Sequence, residues 1–390
     1  MLRASLVALI ALAAACSEPA KLPAPAPAKA PAKTEPEPAK TEPAKTEPAR
    51  PAVCEAAAAP LAALRSAAPG APIAYAGTPV QAWIVAGDAE LGRTDDAAIT
   101  ASLAVTTPAG TEYTRALIEA AIAQWFRGQL KKAAEGKDDR AAAWDAARCA
   151  WDVALAPLAQ DPAVETTDPG LAAHVDAAFA AGAAADPTKY DAAFMPGHEV
   201  VEKSWFRVVH RRLLHAASTA KTAGDAAAAA RALGIFEALR DRLKDRNTPG
   251  IDLIVAELKK PDPKQIDPDR IERELAVAIV KRANKYCTEA VDPASGKTLG
   301  TPAVAATAAE GLAYTEVLLP DMVEKLADQR FDRNAHVEAW NSFAHAIDEK
   351  DDAEAKRLSA ELLQWNCAYQ RALGLRECTS SVDETAAAAR

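Results

Sequence analysis

The clearest periodic pattern in the chain lies in residues 196–217, PGHEVVEKSWFRVVHRRLLHAA. At the helical advance of about 100° per residue, Val201, Trp205, Val208, Val209, Leu213 and Ala216 gather on one face. That is the stripe of a helix turning one side to a core. Two polar residues interrupt the stripe from within: His198 and Glu202, one turn apart, project from the apolar side. A carboxylate aimed into a core must be paired, protonated or metal-bound, because an isolated buried charge is too costly.

The same period recurs along much of the chain. Residues 112–134 bring Ile118, Ile122, Trp125 and Phe126 to one side, and after the turn EGKDD residues 141–155 align Trp144, Trp151 and Leu155. The 198–217 helix is predicted to pair with 225–243 across the turn TAGD, its return strip being Ala229, Leu233, Phe236 and Leu243. A third hairpin starts at Asp267-Pro268, a cap followed by proline at the first helical position. It runs through Ile271, Leu275, Ala278, Ile279 and Tyr286 and, past DPASGK, continues in 302–319, where Pro320 is expected to end or kink the helix. A fourth joins 334–349 to 352–373 across EKDD, with Gly374 as a C-cap. Two short helices are predicted at 54–67 and 95–104, within a stretch broken by prolines and glycines.

Period-two runs rich in Val, Ile, Thr and aromatics are scarce, so the fold class is all-α: helical hairpins forming one or two antiparallel bundles. Turn centres near Gly136, Gly224, Gly296 and Lys350 draw closer along the chain. A solenoid would hold a fixed period, so bundles are favoured over a repeat array. The expected division is an irregular segment at 53–110, a first bundle at 111–250, a second at 251–380, and a disordered tail at 381–390. Trp125-Phe126-Arg127 and Trp205-Phe206-Arg207 occupy equivalent places in the first helices of hairpins one and two. On that alignment Ile118 and Ile122 correspond to His198 and Glu202.

Glu310 is the second polar intrusion. It lies at the centre of the face formed by Ala306, Ala313, Tyr314, Val317 and Leu318. His198, Glu202, Glu310 and Tyr314 are therefore predicted to converge between facing helices, and carboxylates with an imidazole inside a bundle are how helical proteins hold iron, manganese or zinc. Arg148, Arg212 and Arg282 also fall on apolar faces, and buried arginine–carboxylate pairs would satisfy both partners without a metal. Structural pairing, metal or small-ligand contact, and catalysis all fit this pattern. The run from His198 to Glu202 invites comparison with the HExxH zinc motif, but position 202 is Glu, so the second imidazole is missing. His174 has no charged helical neighbour. His345 with Glu338 and Glu349 reads as solvated charge, His336 as a core histidine, and His210 and His215 as polar-side residues.

The net charge of −9 and a pI near 5.4 argue against nucleic-acid binding. At the N-terminus, Arg3 and the apolar run 6–15 precede Cys16. This resembles a bacterial lipoprotein signal peptide, with Ala13 where that family usually has Leu, and Leu12 one residue early. The resemblance implies a signal peptide at 1–15, a lipid on Cys16, and export to the cell envelope; Ser17 is consistent with the outer membrane. Residues 16–52, rich in Pro, Ala, Lys and Glu, form no apolar face and read as a disordered tether reaching on the order of 100 Å if extended. An exported protein oxidises its cysteines. Cys367–Cys378 is the preferred bridge because Gly374 lets the chain turn back, Cys54–Cys149 is a second candidate, and an odd cysteine remains.

Three passages, AAAWDAARCAWD (141–152), HEVVEKSWFRVVHRRLLH (198–215) and AAEGLAYTEVLLP (308–320), resemble the low-iron-inducible or iron-assimilating extracytoplasmic proteins. That resemblance, covering about residues 110–375, implies an all-α fold and a role in iron uptake. It points to Glu202 and Glu310 as ligands with His198 as an accessory. Imelysin-like peptidases carry GxHxxE, but here Gly197 directly precedes His198 and Glu202 comes one residue late. The expectation is a cell-envelope lipoprotein whose helical body binds iron or another divalent or trivalent cation. Its rivals are an interaction module with arginine-paired carboxylates and an imelysin-like peptidase.

Overall fold

The computed structural model describes residues 52–136, 139–185, 190–244, 246–375 and 378. The expected signal peptide, Cys16, nearly all of the expected tether and the expected 381–390 tail lie outside them. Every regular element among the described residues is helical. None of these helices is long and apolar enough to cross a membrane.

The first, α1 (Ala52–Ser66), turns Cys54, Ala57, Leu61 and Leu64 inward. Next come α2 (Pro79–Leu91) and α3 (Asp95–Ser102). The sequence reading passes over α2 because Pro79, Gly87 and Gly92 look like breakers. In fact Pro79 occupies the first turn, where its missing N–H is not needed, the Thr78 side chain accepts from the Gln81 N–H, and Gly92 closes the helix at φ 64°. Gly87 is there for contact: a Cβ would meet Trp125 at 2.9 Å.

The long α4 (Pro108–Glu135) is followed by α5 (Arg140–Ala150), which passes through a π turn (Trp151–Leu155) into α6 (Ala156–Ala159). After α7 (Pro162–Glu165) comes α8 (Leu171–Ala183), also absent from the sequence reading. Its alanines give little periodic contrast, yet Gly182 sits so close to Trp144 that a Cβ would approach the ring to 2.6 Å. Then follow α9 (Tyr190–Ala223), α10 (Ala226–Glu237), α11 (Arg240–Lys244) and α12 (Thr248–Leu258). The chain ends in α13 (Pro268–Glu289), α14 (Pro302–Lys325), α15 (Arg333–Asp348) and α16 (Asp352–Ala372). Of the two outcomes expected at Pro320, an end or a kink, the helix does not end there: α14 continues to Lys325. Burial of Val317, Leu318, Leu319 and Met322 around that turn offsets the backbone bond that proline removes.

Packing departs from simple sequential hairpins. Helix α4 lies most extensively along α10 rather than along its neighbour α5, while α9 runs between α10 and α14. One apolar cluster extends from Cys54 to Val317 and includes Ile254, Ile271, Leu275 and Tyr314, so it crosses the expected 250/251 boundary without a break. Two smaller clusters form around Trp340 and Phe343 and around Leu318, Met322 and Tyr369. Cys54 joins Cys149 with Cα atoms 6.3 Å apart, and Cys367 joins Cys378 with Cα atoms 5.0 Å apart. Cys287 is a buried thiol.

Its central position decides the character of α9. Every residue from 201 to 213 is buried, the charged ones included. The pattern of apolar residues marks one face of this helix correctly, but the opposite face is not wet. It meets other helices whose side chains supply the missing charges.

Candidate functional site

Helical geometry sets the first part of the site. His198 and Glu202 are one turn apart, as are Glu199 and Lys203, so two adjacent rows of polar side chains lie along α9. Lys203 Nζ is 2.9 Å from Glu199 Oε2 and also binds the Glu202 carboxylate. The second part comes from distant helices. Glu310 on α14 reaches the same ammonium at 3.1 Å and accepts from the Tyr286 hydroxyl of α13 at 2.6 Å. On the other flank, Arg242 of α11 binds Glu202, and Arg127 of α4 stands 3.6 Å from it. Three carboxylates thus meet three cations in the interior.

Beneath them lies an aromatic stack. Tyr314 is parallel to Phe206 (centroids 6.0 Å apart) and to Tyr286 (5.8 Å). Lys203 Nζ sits 5.3 Å from the Tyr314 centroid, Arg242 lies 4.9 Å from that of Phe206, and Arg282 lies 5.8 Å from that of Tyr314. The negative faces of these rings contribute to holding the cations in place of water.

The electrostatics follow from burial opposed by pairing. Burial alone would drive the proton off Lys203, but Glu202 and Glu199 more than offset it and hold the ammonium well above its ordinary range. Burial likewise raises Glu202, and Lys203, Arg242 and Arg127 reverse this to leave it well below the usual carboxylate range. Glu199 is also lowered against burial, through Lys203 and His198. Glu310 is the exception: burial, with repulsion from Glu199 and Glu202, outweighs Lys203 and raises it. Burial and the like charge of Arg242 bring Arg127 down to about 10.

The four residues expected to converge are in one neighbourhood, but not as one ligand set. His198 and Glu202 line a cleft of about 540 Å³, together with Glu199, Arg127, Arg242 and Met195. Glu310 and Tyr314 join the cluster through Lys203 and do not line that cleft. The group whose donor atoms approach within 4.8 Å of one another is His198, Glu199 and Glu202. His198 Nδ1 is 3.0 Å from Glu199 Oε1, while its Nε2 is buried with no hydrogen-bond partner among the described residues. A neutral imidazole donating from Nδ1 leaves a lone pair on Nε2, the form in which histidine ligates a metal. The donors therefore suit a hard or borderline cation, although such an ion would enter beside three resident positive charges.

Sequence reasoning missed Glu199, Lys203, Arg127, Arg242 and Tyr286. The spacing of Glu199 and Lys203 was a usable signal; the other three come from remote helices. Of the arginines expected to pair, Arg212 binds Glu119 at 2.8 Å in the interior. Arg148 is instead part-exposed and binds Asp152 at 2.8 Å and Asp176 at 3.2 Å. His210, read as a polar-side residue, is buried beside Arg211, because α9 has no wet side at that point. His215 and His174 are exposed, as are His345, Glu338 and Glu349, and His336 is buried against Phe331.

A second ionic knot ties α9 to the α7–α8 loop and to α14. Asp168 accepts from Arg207 at 2.6 Å and Arg211 at 3.0 Å; the same arginines reach Glu316 and the Val317 carbonyl at 2.9 Å. Burial raises Asp168, and the two guanidiniums outweigh it to leave the carboxyl below its ordinary range. Asp168→Asn is expected to cost about 2 kcal/mol, read from the urea unfolding midpoint at neutral pH. Because this carboxyl is lowered in the fold, its contribution is present above the ordinary carboxylate range and is lost as pH falls through the folded value. The gap between wild type and variant should close in acid. No family model, curated protein or solved structure matches this chain, and the chemistry of the site stands on its geometry.

Proposed function

We propose that this protein is an exported, lipid-anchored envelope protein whose helical body takes a divalent or trivalent cation, iron among them, at the cleft beside α9. His198, Glu199 and Glu202 are the donors. The observation that supports this most is that one ligand atom from each of the three lies within 4.8 Å of the others, and the imidazole keeps an Nε2 with no hydrogen-bond partner among the described residues. Lys203 holds the carboxylates together in the absence of the cation and would yield Glu202 and Glu199 to it.

The test is metal content after exposure of the purified protein to iron, manganese or zinc and removal of free ions. Wild type should retain metal, His198→Ala and Glu202→Ala should lose it, and Glu310→Ala, which removes no donor, should keep it. Wild type at background, with variants that only unfold earlier, would end the cation reading.

A second reading has its own support. Each carboxylate of the cluster already has a protein cation, so the assembly also suits a structural or interaction module locked by internal ion pairs. The peptidase alternative has less behind it: the position that would carry the second zinc imidazole is Glu202, bound by Lys203 and Arg242.

A further inference from the structure

A second pocket, sharing no residue with the ionic cluster, opens between α9 and α10, the first turns of α4 and the start of α7. Its volume is about 230 Å³, below the roughly 300–1,000 Å³ of sites for drug-sized ligands. Two buried groups of opposite sign line it. Arg212, 4% exposed, gives one nitrogen to Glu119 and lies 3.8 Å from Asp161, while its Nη2 has no hydrogen-bond partner among the described residues. Glu112, 5% exposed, has Arg115 3.5 Å from its Oε1 and Arg231 3.9 Å from its Oε2, both long for charge-assisted hydrogen bonds, and Oε1 accepts no hydrogen bond among the described residues.

Buried donors and acceptors are normally satisfied, and a charged one left short of partners costs more than a neutral one. Here a cationic donor and an anionic acceptor, both short of partners, line the same pocket. The lining carries Glu112, Asp161 and Asp225 against Arg212 and Arg231, so a simple anion or a simple cation would meet like charge as well as its counter-charge. A ligand carrying both charges satisfies both. Glu112 and Glu119, the latter marking the Arg212 end, are two turns apart on α4, a rise of about 10 Å. Ala216, Ala228 and Ile235 supply an apolar wall for the remainder of the molecule.

We propose that this pocket binds a small zwitterion, a free amino acid or dipeptide, with its carboxylate on Arg212 and its ammonium on Glu112. The test is titration calorimetry of the folded, metal-free protein with a panel of the common amino acids and simple dipeptides. At least one should bind at millimolar concentration or below. Its N-acetylated form and its carboxamide, each lacking one charge, should bind about a hundredfold more weakly. Glu112→Gln should weaken binding comparably. Ala228→Leu, which fills the pocket without touching an ion pair, should abolish it while the thermal unfolding midpoint is kept. The proposal is overturned if no member of the panel binds, if the single-charge analogues bind as well as the parent, or if Ala228→Leu binds like wild type. Because the protein is metal-free throughout, failure here leaves the cation reading untouched, and the reverse holds as well.

Discussion

Lys203→Met is expected to lower stability by about 3–5 kcal/mol, the loss that follows when one partner is removed from a buried ionic assembly. The ammonium is 3% exposed at its side chain and is shared by Glu199, Glu202 and Glu310. Methionine fills similar space but leaves three carboxylates facing one another, with only Arg127 and Arg242 on one flank. The measurement is the shift in urea or thermal unfolding midpoint. Adding Glu310→Gln to Lys203→Met should recover part of the loss, since it removes one of the two carboxylates, Glu199 being the other, that pair with neither Arg127 nor Arg242. If the single variant unfolds like wild type, the cluster contributes nothing to the fold.

The pH dependence has a defined sign. Glu202 is lowered below 4.5, so its contribution is present above that value and fades as pH falls through the folded one. Lys203 is raised above 10.5, so its contribution is complete below that value and fades as pH rises through the folded one. The cluster stabilises most between those limits. In Lys203→Met the crowded carboxylates take up protons at higher pH, so its deficit should narrow in mild acid. An added divalent cation should stabilise this variant more than wild type if His198, Glu199 and Glu202 are ligands, because the competing ammonium is gone.

Opening the Cys54–Cys149 bridge, by Cys54→Ser with Cys149→Ser, is expected to cost about 3–4 kcal/mol. The bridge spans 95 residues, and loop-closure entropy for a loop of about 100 residues corresponds to about 4.7 kcal/mol, of which native proteins realise a part. It joins α1 to α5, so without it these two helices would be held against each other by packing alone. Both cysteines are fully buried, whereas Cys378 is exposed and its bridge spans only 11 residues at the end of α16. Mild reductant on the folded protein should open Cys367–Cys378 with a small change in unfolding midpoint and spare Cys54–Cys149. Equal rates of reduction would contradict the burial.

Helix type and most helix positions were legible because they follow from local period and local capping. The stripe of Val201, Trp205, Val208 and Leu213 is a property of one segment, and so are the Asp225 cap and the turn at Gly224. The intrusion of His198 and Glu202 into that stripe was readable for the same reason. Helices α2, α8 and α12 escaped notice because glycine and proline read as breakers unless their packing or place in the first turn is known, and because alanine gives little contrast.

What surrounds α9 was readable only in part: Glu310, Tyr314 and the pairing with α10 were expected, Arg127, Arg242 and Tyr286 were not. Glu202 meets Arg242 across 40 residues and Arg207 meets Glu316 across 109, and local periodicity carries no information about which remote charge arrives opposite a given helix. The chain's own order thus determined an all-helical body, its apolar stripes and the polar residues that break them. Tertiary packing alone decided that the second face of α9 is buried, that Lys203 rather than a surface of water neutralises its glutamates, and that Glu199 replaces Glu310 at the cleft. The reason is physical: helix formation is satisfied by contacts within a few residues, whereas a buried charge is tolerated only where the fold brings its counter-charge.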